Sequence, residues 1–307
     1  MANTISGLTV SVLRDAAITK LSSVLAPLFA YTRDFGAEPL APGRTVIVPL
    51  TSAAADKFLE NGIGNSAPET ALGVDFEQTH TTMAPVSIPV VQITKPFGIT
   101  QKDLNEGIRL QQLAEANANA FAEIISDKIT KLFIVANYPN PLVAPTVAGW
   151  GTAGAGIKAV YKRIATARSK YAILDPTLYA ETMFTQAMSF VLGGTGGTSG
   201  VPTGAPAYGF TGIYPQSRWT GTAAGTLGFA CDPQAVAIAS GPPVSPPEVG
   251  GTPFLIQESF TVPQIGMTCV LYMWLSTKTR SLWASYDVMF GAAVGDATAG
   301  AVIIPKP

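Results

Sequence analysis

The sequence predicts an α+β chain, and three stretches carry that prediction. Thr100 to Val135 reads as one long helix, with no proline and with Gly107 as its only glycine. Ahead of it, Thr45–Leu50 and Ala84–Phe97 are β-rich runs separated by a loose polar segment. Behind it, the C-terminal region is β-rich again: Phe254–Val262, Met267–Leu275, Arg280–Met289 and a short Ala301–Ile304.

Taken in order, residues 1–40 read as a short amphipathic helix followed by an irregular arm. Val10, Leu13, Ala17, Leu21, Val24 and Leu25 fall near one face, and Pro27 closes the pattern. Such a helix is too short and too weakly capped to stand alone, so it docks on its own body or on a neighbour. In Ala84–Phe97, Pro85, Pro89 and Pro96 each remove a ladder donor, which leaves an edge strand or a free-standing ribbon. Two long strands joined by about 30 polar residues make a large projecting hairpin, since a compact domain seldom holds such a connection.

Thr100 is a candidate N-cap and Asp103 its capping-box acid. Phe121, Ile124, Ile125, Ile129, Leu132 and Phe133 form the apolar stripe, with a weaker one upstream at Leu104, Ile108 and Leu113. Unbroken, this rod is roughly 50 Å long. After a Pro/Gly-rich turn, Asn137–Gly156, a second helix is expected over Ile157–Lys170. Its Lys158, Lys162, Arg163, Arg168 and Lys170 are the densest basic cluster in the chain. They form either a solvated face or a contact for polyanion or acidic neighbours. Tyr171–Leu174 reads as a buried strand, and Asp175-Pro176 starts a helix running to about Leu192. Gly193–Pro206 is a low-complexity surface loop. Its GGTGGTSG lacks the Gly-Lys-Ser/Thr ending of a phosphate loop. Tyr208–Tyr214 and Leu227–Ala239 give strands or a short helix, and Gly241–Pro253 is a Pro-rich hinge.

Composition narrows the class. Of 307 residues, 47% are hydrophobic and only 13% charged, against about 25% charged in a typical soluble domain. Such a chain is either membrane-bound or hides much of its surface against copies of itself. The best apolar run, Met267–Leu275, is far short of the ~20 residues of a spanning helix. Arg14 and Asp15 interrupt the N-terminal apolar stretch, which therefore does not read as a signal peptide. Cys231 and Cys269 lie in apolar contexts without metal-ligand spacing and read as buried free thiols. A net charge of −1 offers no global attraction for nucleic acid.

No catalytic, cofactor-binding or metal site is expected. His80, the single histidine, stands in a polar stretch without a partner, which removes Ser-His-Asp and Cys-His arrangements. Glu69, Asp75 and Glu77 could pair as carboxylates, but they sit in the loosest part of the chain. An α/β enzyme relying on carboxylates is the rival from a different class.

The order of parts, together with local wording, resembles the major capsid proteins of tailed bacteriophages, the HK-ninety-seven-type fold. YAILDPTLY at Tyr171–Tyr179 looks like that family's strand-then-helix entry to its axial domain. GFTGIY at Gly209–Tyr214 looks like the strand after its variable loop. GFACDPQAVAIAS at Gly228–Ser240 is similar to the return toward its peripheral domain, and SYDVMFGAAV at Ser285–Val294 to its closing segment. The resemblance implies an N-terminal arm at 1–41, an extended loop (E-loop) at 42–97 and a peripheral domain with a spine helix at 98–137. An axial domain at 138–252 and a return to the peripheral sheet at 253–307 complete it.

The implied function is a shell subunit, not an enzyme, with no cofactor. Its partners would be copies of itself in pentamers and hexamers, a portal, separate scaffolding or cement proteins, and packaged double-stranded DNA without sequence specificity. No membrane partner is implied, and the location would be the virion, assembled in the bacterial cytoplasm. An encapsulin-type nanocompartment on the same fold is the near alternative. Some members weld subunits through Lys–Asn isopeptide bonds. Lys57 and Lys95 could supply the lysine, but no asparagine follows Asn140, so a shell held by non-covalent contacts is expected.

Overall fold

The computed structural model describes residues 7–25, 32–34, 45–52, 59–60, 63–64, 82–144, 146, 149–150, 155–165, 169–192, 209–216, 219, 225–243, 255–263, 266–276 and 281–305. The chain forms two compact units, one of residues 1–46 with 88–307 and one of residues 47–87.

The smaller unit is organised by β2 (Thr45–Ser52) paired with β5 (Thr82–Pro89). It also holds an antiparallel pair of two-residue strands, β3 (Leu59–Glu60) and β4 (Ile63–Gly64). Its span is shorter than the expected 42–97 segment. The reason is that β6 (Val91–Ile99) runs antiparallel to a central strand of the larger unit over its whole length. β6 pairs on one side only among the described residues, and it carries Pro96, whose missing N–H is harmless at an edge.

The larger unit opens with α1 (Gly7–Val24), which buries Val10, Leu13, Ala17 and Leu21, with Leu25 just beyond its end. Thr100 then begins a capping box, accepting from the Asp103 N–H while the Asp103 carboxylate accepts from the Thr100 N–H at 2.9 Å. The expected rod over Thr100–Val135 is, however, broken. α2 (Gln101–Asn105) stops at Glu106, whose φ of −110° and ψ of 93° are extended, and α3 (Gly107–Thr130) restarts at the glycine. The Arg109 guanidinium holds the break from below, 3.6 Å from Asp103 and 3.7 Å from Glu106. At its other end α3 tightens into Leu132→Ile129 and Phe133→Thr130 backbone bonds, and the Asn137 amide donates to the Leu132 carbonyl. The continuous helix has 24 residues, about 36 Å rather than 50 Å. Ile124 also departs from the expected stripe: it is exposed, while Phe121, Ile125, Ile129 and Phe133 are fully buried.

A six-stranded sheet backs these helices. Its path is β1 (Thr32–Asp34), β11 (Val236–Gly241), β14 (Leu282–Val294), β13 (Met267–Leu275) and β12 (Ile256–Val262), with β6 also on β14. β14 runs five residues past the expected Met289, because its second half pairs with β11. Period-2 alternation turns Ala284, Tyr286, Val288 and Phe290 toward α1 and α3.

A five-stranded sheet has the order β7 (Leu142–Ala144), β15 (Gly300–Pro305), β10 (Gly228–Cys231), β8 (Tyr171–Leu174), β9 (Gly212–Pro215). It lies between two cores. Ile173, Phe229, Cys231 and Val302 face the core shared with α1 and α3. Ala172, Leu174, Ala230 and Ile303 face a second core with α4 (Ala155–Arg163) and α5 (Pro176–Leu192). α4 ends at Arg163, short of the expected Lys170, and Ile164 still buries its side chain. The low-complexity stretch Gly193–Pro206 lies outside the described residues.

Candidate functional site

Cys231 and Cys269 are buried, and neither is in a disulfide. Burial, with Asp232 behind it, pushes the Cys231 thiol well up. Burial and the Asp287 charge do the same to Cys269. Neither can present a thiolate to a substrate. Burial, helped by Asp287, also pushes the Tyr272 phenol up to about 12. Among the described residues no group of His, Cys, Asp and Glu has the makings of a metal site, and no helix is long and apolar enough to cross a membrane. His80, Glu69, Asp75, Glu77 and Lys57 lie outside the described residues.

Among the described residues the one buried carboxylate is Asp287, on the face of β14 turned away from the main core. It accepts from Thr94 Oγ1 at 2.7 Å, Gln92 Nε2 at 2.8 Å and Ser285 Oγ at 2.7 Å. All three donors are neutral, and none of them is a basic group. Such a carboxylate holds structure: it ties edge strand β6 to β14 across a sequence gap of nearly two hundred residues. Nothing in the sequence pairs Asp287 with Gln92 and Thr94. The available signal is local: Asp287 shares a strand face with Ser285.

What the described surface offers instead is apolar and basic. Ile108 on α3 is 76% exposed, Phe184 on α5 64% and Ile47 in the smaller unit 67%. Leu255 and Leu275 are exposed at neighbouring ends of β12 and β13. These are large side chains left in water by a single chain, of the kind that interfaces between copies cover. On α4, Lys158, Tyr161, Lys162 and Arg163 face solvent while Ile157 and Val160 are buried. The Lys170 ammonium sits 5.3 Å from the centroid of the Tyr161 ring, and Arg163 donates to the Asn140 carbonyl at 3.3 Å. Arg168 is outside the described residues.

No family model matches the chain, and no curated protein matches it. Solved structures do. The virus-like particle from Pyrococcus furiosus matches with a TM-score of 0.50 at 10% identity, over 95% of this chain and 98% of that one. An empty GTA particle capsid matches at 0.49 and 13% identity, over 100% and 94%. The capsid of cyanophage P-SCSP1u matches at 0.48 and 12% identity, over 90% and 86%. The likeness to the Pyrococcus particle runs nearly end to end in both chains, which excludes a shared fragment and makes it a likeness of whole folds. This α+β chain has the capsid fold of the HK-ninety-seven type.

Proposed function

We propose that the chain is the major capsid protein of a tailed phage, assembling as pentamers and hexamers into an icosahedral shell around double-stranded DNA. The observation that carries this reading is the end-to-end fold likeness to a virus-like particle. A chain with 13% charged residues and with Ile108 and Phe184 in solvent has surface to hide. Repeated heterologous contacts that close around symmetry axes would hide it.

In this reading residues 1–41 form the N-terminal arm and 42–97 the E-loop, whose β6 end is anchored on β14 and whose remainder is laid over a neighbour. Residues 98–137 and 253–307 form the peripheral domain, and 138–252 the axial domain. Separate clustering of residues 47–87 supports an E-loop. The subunit is structural and uses no cofactor. A portal and separate scaffolding or cement proteins complete the virion, which assembles in the bacterial cytoplasm.

Purified protein should sediment as capsomers or shells, and negative-stain images should show closed particles. A monomer that persists at high concentration, with and without scaffold, would sink the proposal. Particles filled with protein and free of nucleic acid would move it to a nanocompartment shell. Boiled particles should run without reductant as one band near 31.9 kDa, since both thiols are buried and no asparagine follows Asn140.

A further inference from the structure

Between Asp127 and Asp175 the chain carries no acidic residue at all. Residues 128–174 hold Lys128, Lys131, Lys158, Lys162, Arg163, Arg168 and Lys170, a net +7 in a chain whose total is −1, so the remainder carries −8. Arg14 meets Asp15 and Glu258, Lys20 meets Glu115, and Arg109 meets Asp103 and Glu106. Among the described residues no carboxylate lies within ion-pair distance of Lys128, Lys131, Lys158, Lys162 or Arg163. All five are exposed.

The cations of α4 are also arranged. Lys158 and Lys162 are four residues apart on one face, the spacing that brings side chains side by side along a helix. Arg163 is held against the Asn140 carbonyl. Tyr161 lies among them with its ring packed edge-on to Phe210, centroids 5.9 Å apart. Cations kept in one small area without a carboxylate in ion-pair reach repel each other. A polyanion would make them favourable.

We propose that the exposed face of α4, centred on Lys158, Lys162 and Arg163, binds the phosphate backbone of nucleic acid without reading its sequence. The inference rests on the capsid reading for the identity of that polyanion, packaged double-stranded DNA. An acidic protein segment fits less well, because protein contacts need apolar anchors and, on the described part of α4, Tyr161 is the one large side chain exposed among these cations. Lysines are point charges that fix no register on bases.

The test compares wild type with Lys158→Gln/Lys162→Gln/Arg163→Gln in the full chain. Binding of unassembled subunits to a random-sequence DNA duplex is followed by fluorescence anisotropy across a salt series. Three lost phosphate contacts should reduce the slope of log affinity against log salt by about 2.7. A second duplex of unrelated sequence should behave alike, and Lys158→Arg/Lys162→Arg should keep the wild-type slope. An unchanged slope in the triple variant overturns the proposal. Polyglutamate binding to wild type more tightly than DNA does overturns it in favour of an acidic protein partner. The assay needs no particle. Subunits that bind DNA through α4 yet never form shells fail the capsid reading and sustain this one, and shells with an unchanged slope do the reverse.

Discussion

The two cores of the larger unit are built from different parts of the chain. The main core joins the beginning to the end: α1 lies on α3 and β12, and the Tyr286 hydroxyl donates to the Leu13 carbonyl at 3.0 Å, across a separation of 273 residues. The second core is mostly a mid-chain affair, in which β7, α4, β8, α5, β9 and β10 enclose Trp150 and only β15 comes from afar. The main core is therefore complete only when the whole chain is present. The two cores share the five-stranded sheet, whose strands turn alternate residues to each.

The largest effect should come from the main core. Ile125 is fully buried on α3 and its neighbour Ile124 is 37% exposed. Ile125→Asp strands a carboxylate among apolar side chains at a cost of several kcal/mol, and the protein should be recovered as insoluble material. Ile124→Asp puts the same charge one residue away in water and should stay soluble and assemble. Equal solubility of the two variants would show that the buried face of α3 is misassigned.

A smaller effect is expected in the second core. A Cβ on Gly156 would overlap the Trp150 indole, which cannot retreat because its Nε1 donates to Thr182 Oγ1 at 2.9 Å. Gly156→Ala should therefore destabilise by about 1–3 kcal/mol, read as a lower denaturation midpoint. If the two cores are separable, local protection measured by hydrogen exchange should fall in α4 and α5 and hold in α1 and α3. A uniform loss would mean that they unfold as one.

How much of this was legible in the sequence depended on distance along the chain. The Thr100–Asp103 box and the Asp175-Pro176 helix start are signals a few residues long, and both are present in the structure. The periodicity of Phe121, Ile125 and Ile129 also located a buried face. The break at Glu106 falls immediately before Gly107, the one glycine of the stretch, and the sequence pattern runs the helix through it. Ile124 was misplaced because it lies 100° from Ile125, at the margin of an apolar stripe. The donors to Asp287 were illegible for a different reason. Gln92 and Thr94 reach it only through the β6–β14 register, which no local pattern encodes. The α4 cations were visible as a cluster, but their lack of acidic partners needed coordinates.

The tie between chain start and chain end can be weakened alone. Tyr286→Phe removes the hydroxyl that donates to Leu13 and leaves the ring packed against Phe97 at 5.3 Å. A loss of about 1 kcal/mol is expected. α1 should become more accessible to protease while α4 and α5 keep their protection. If α1 is unchanged, its apolar face alone holds it, and the hydroxyl adds nothing to the closure of the main core.

The smallest effect belongs to the cap of α2, outside both cores. Thr100→Ala removes the hydroxyl that accepts from the Asp103 N–H, and about 0.5–1 kcal/mol should be lost at neutral pH. The same contact sets a pH dependence. The Thr100 hydroxyl first, then its backbone N–H, holds the Asp103 carboxyl below the usual aspartate range. Because the folded pKa lies below the unfolded one, the stabilisation is full above the ordinary value of about 3.9 and fades as pH falls through the folded value. Wild type and Thr100→Ala should thus differ most near neutrality and converge in acid below about pH 4. The Arg109 bridge to Asp103 should weaken over the same range. A gap between the two melting curves that stays constant from pH 7 to pH 3 would mean that the cap acts through the hydroxyl alone.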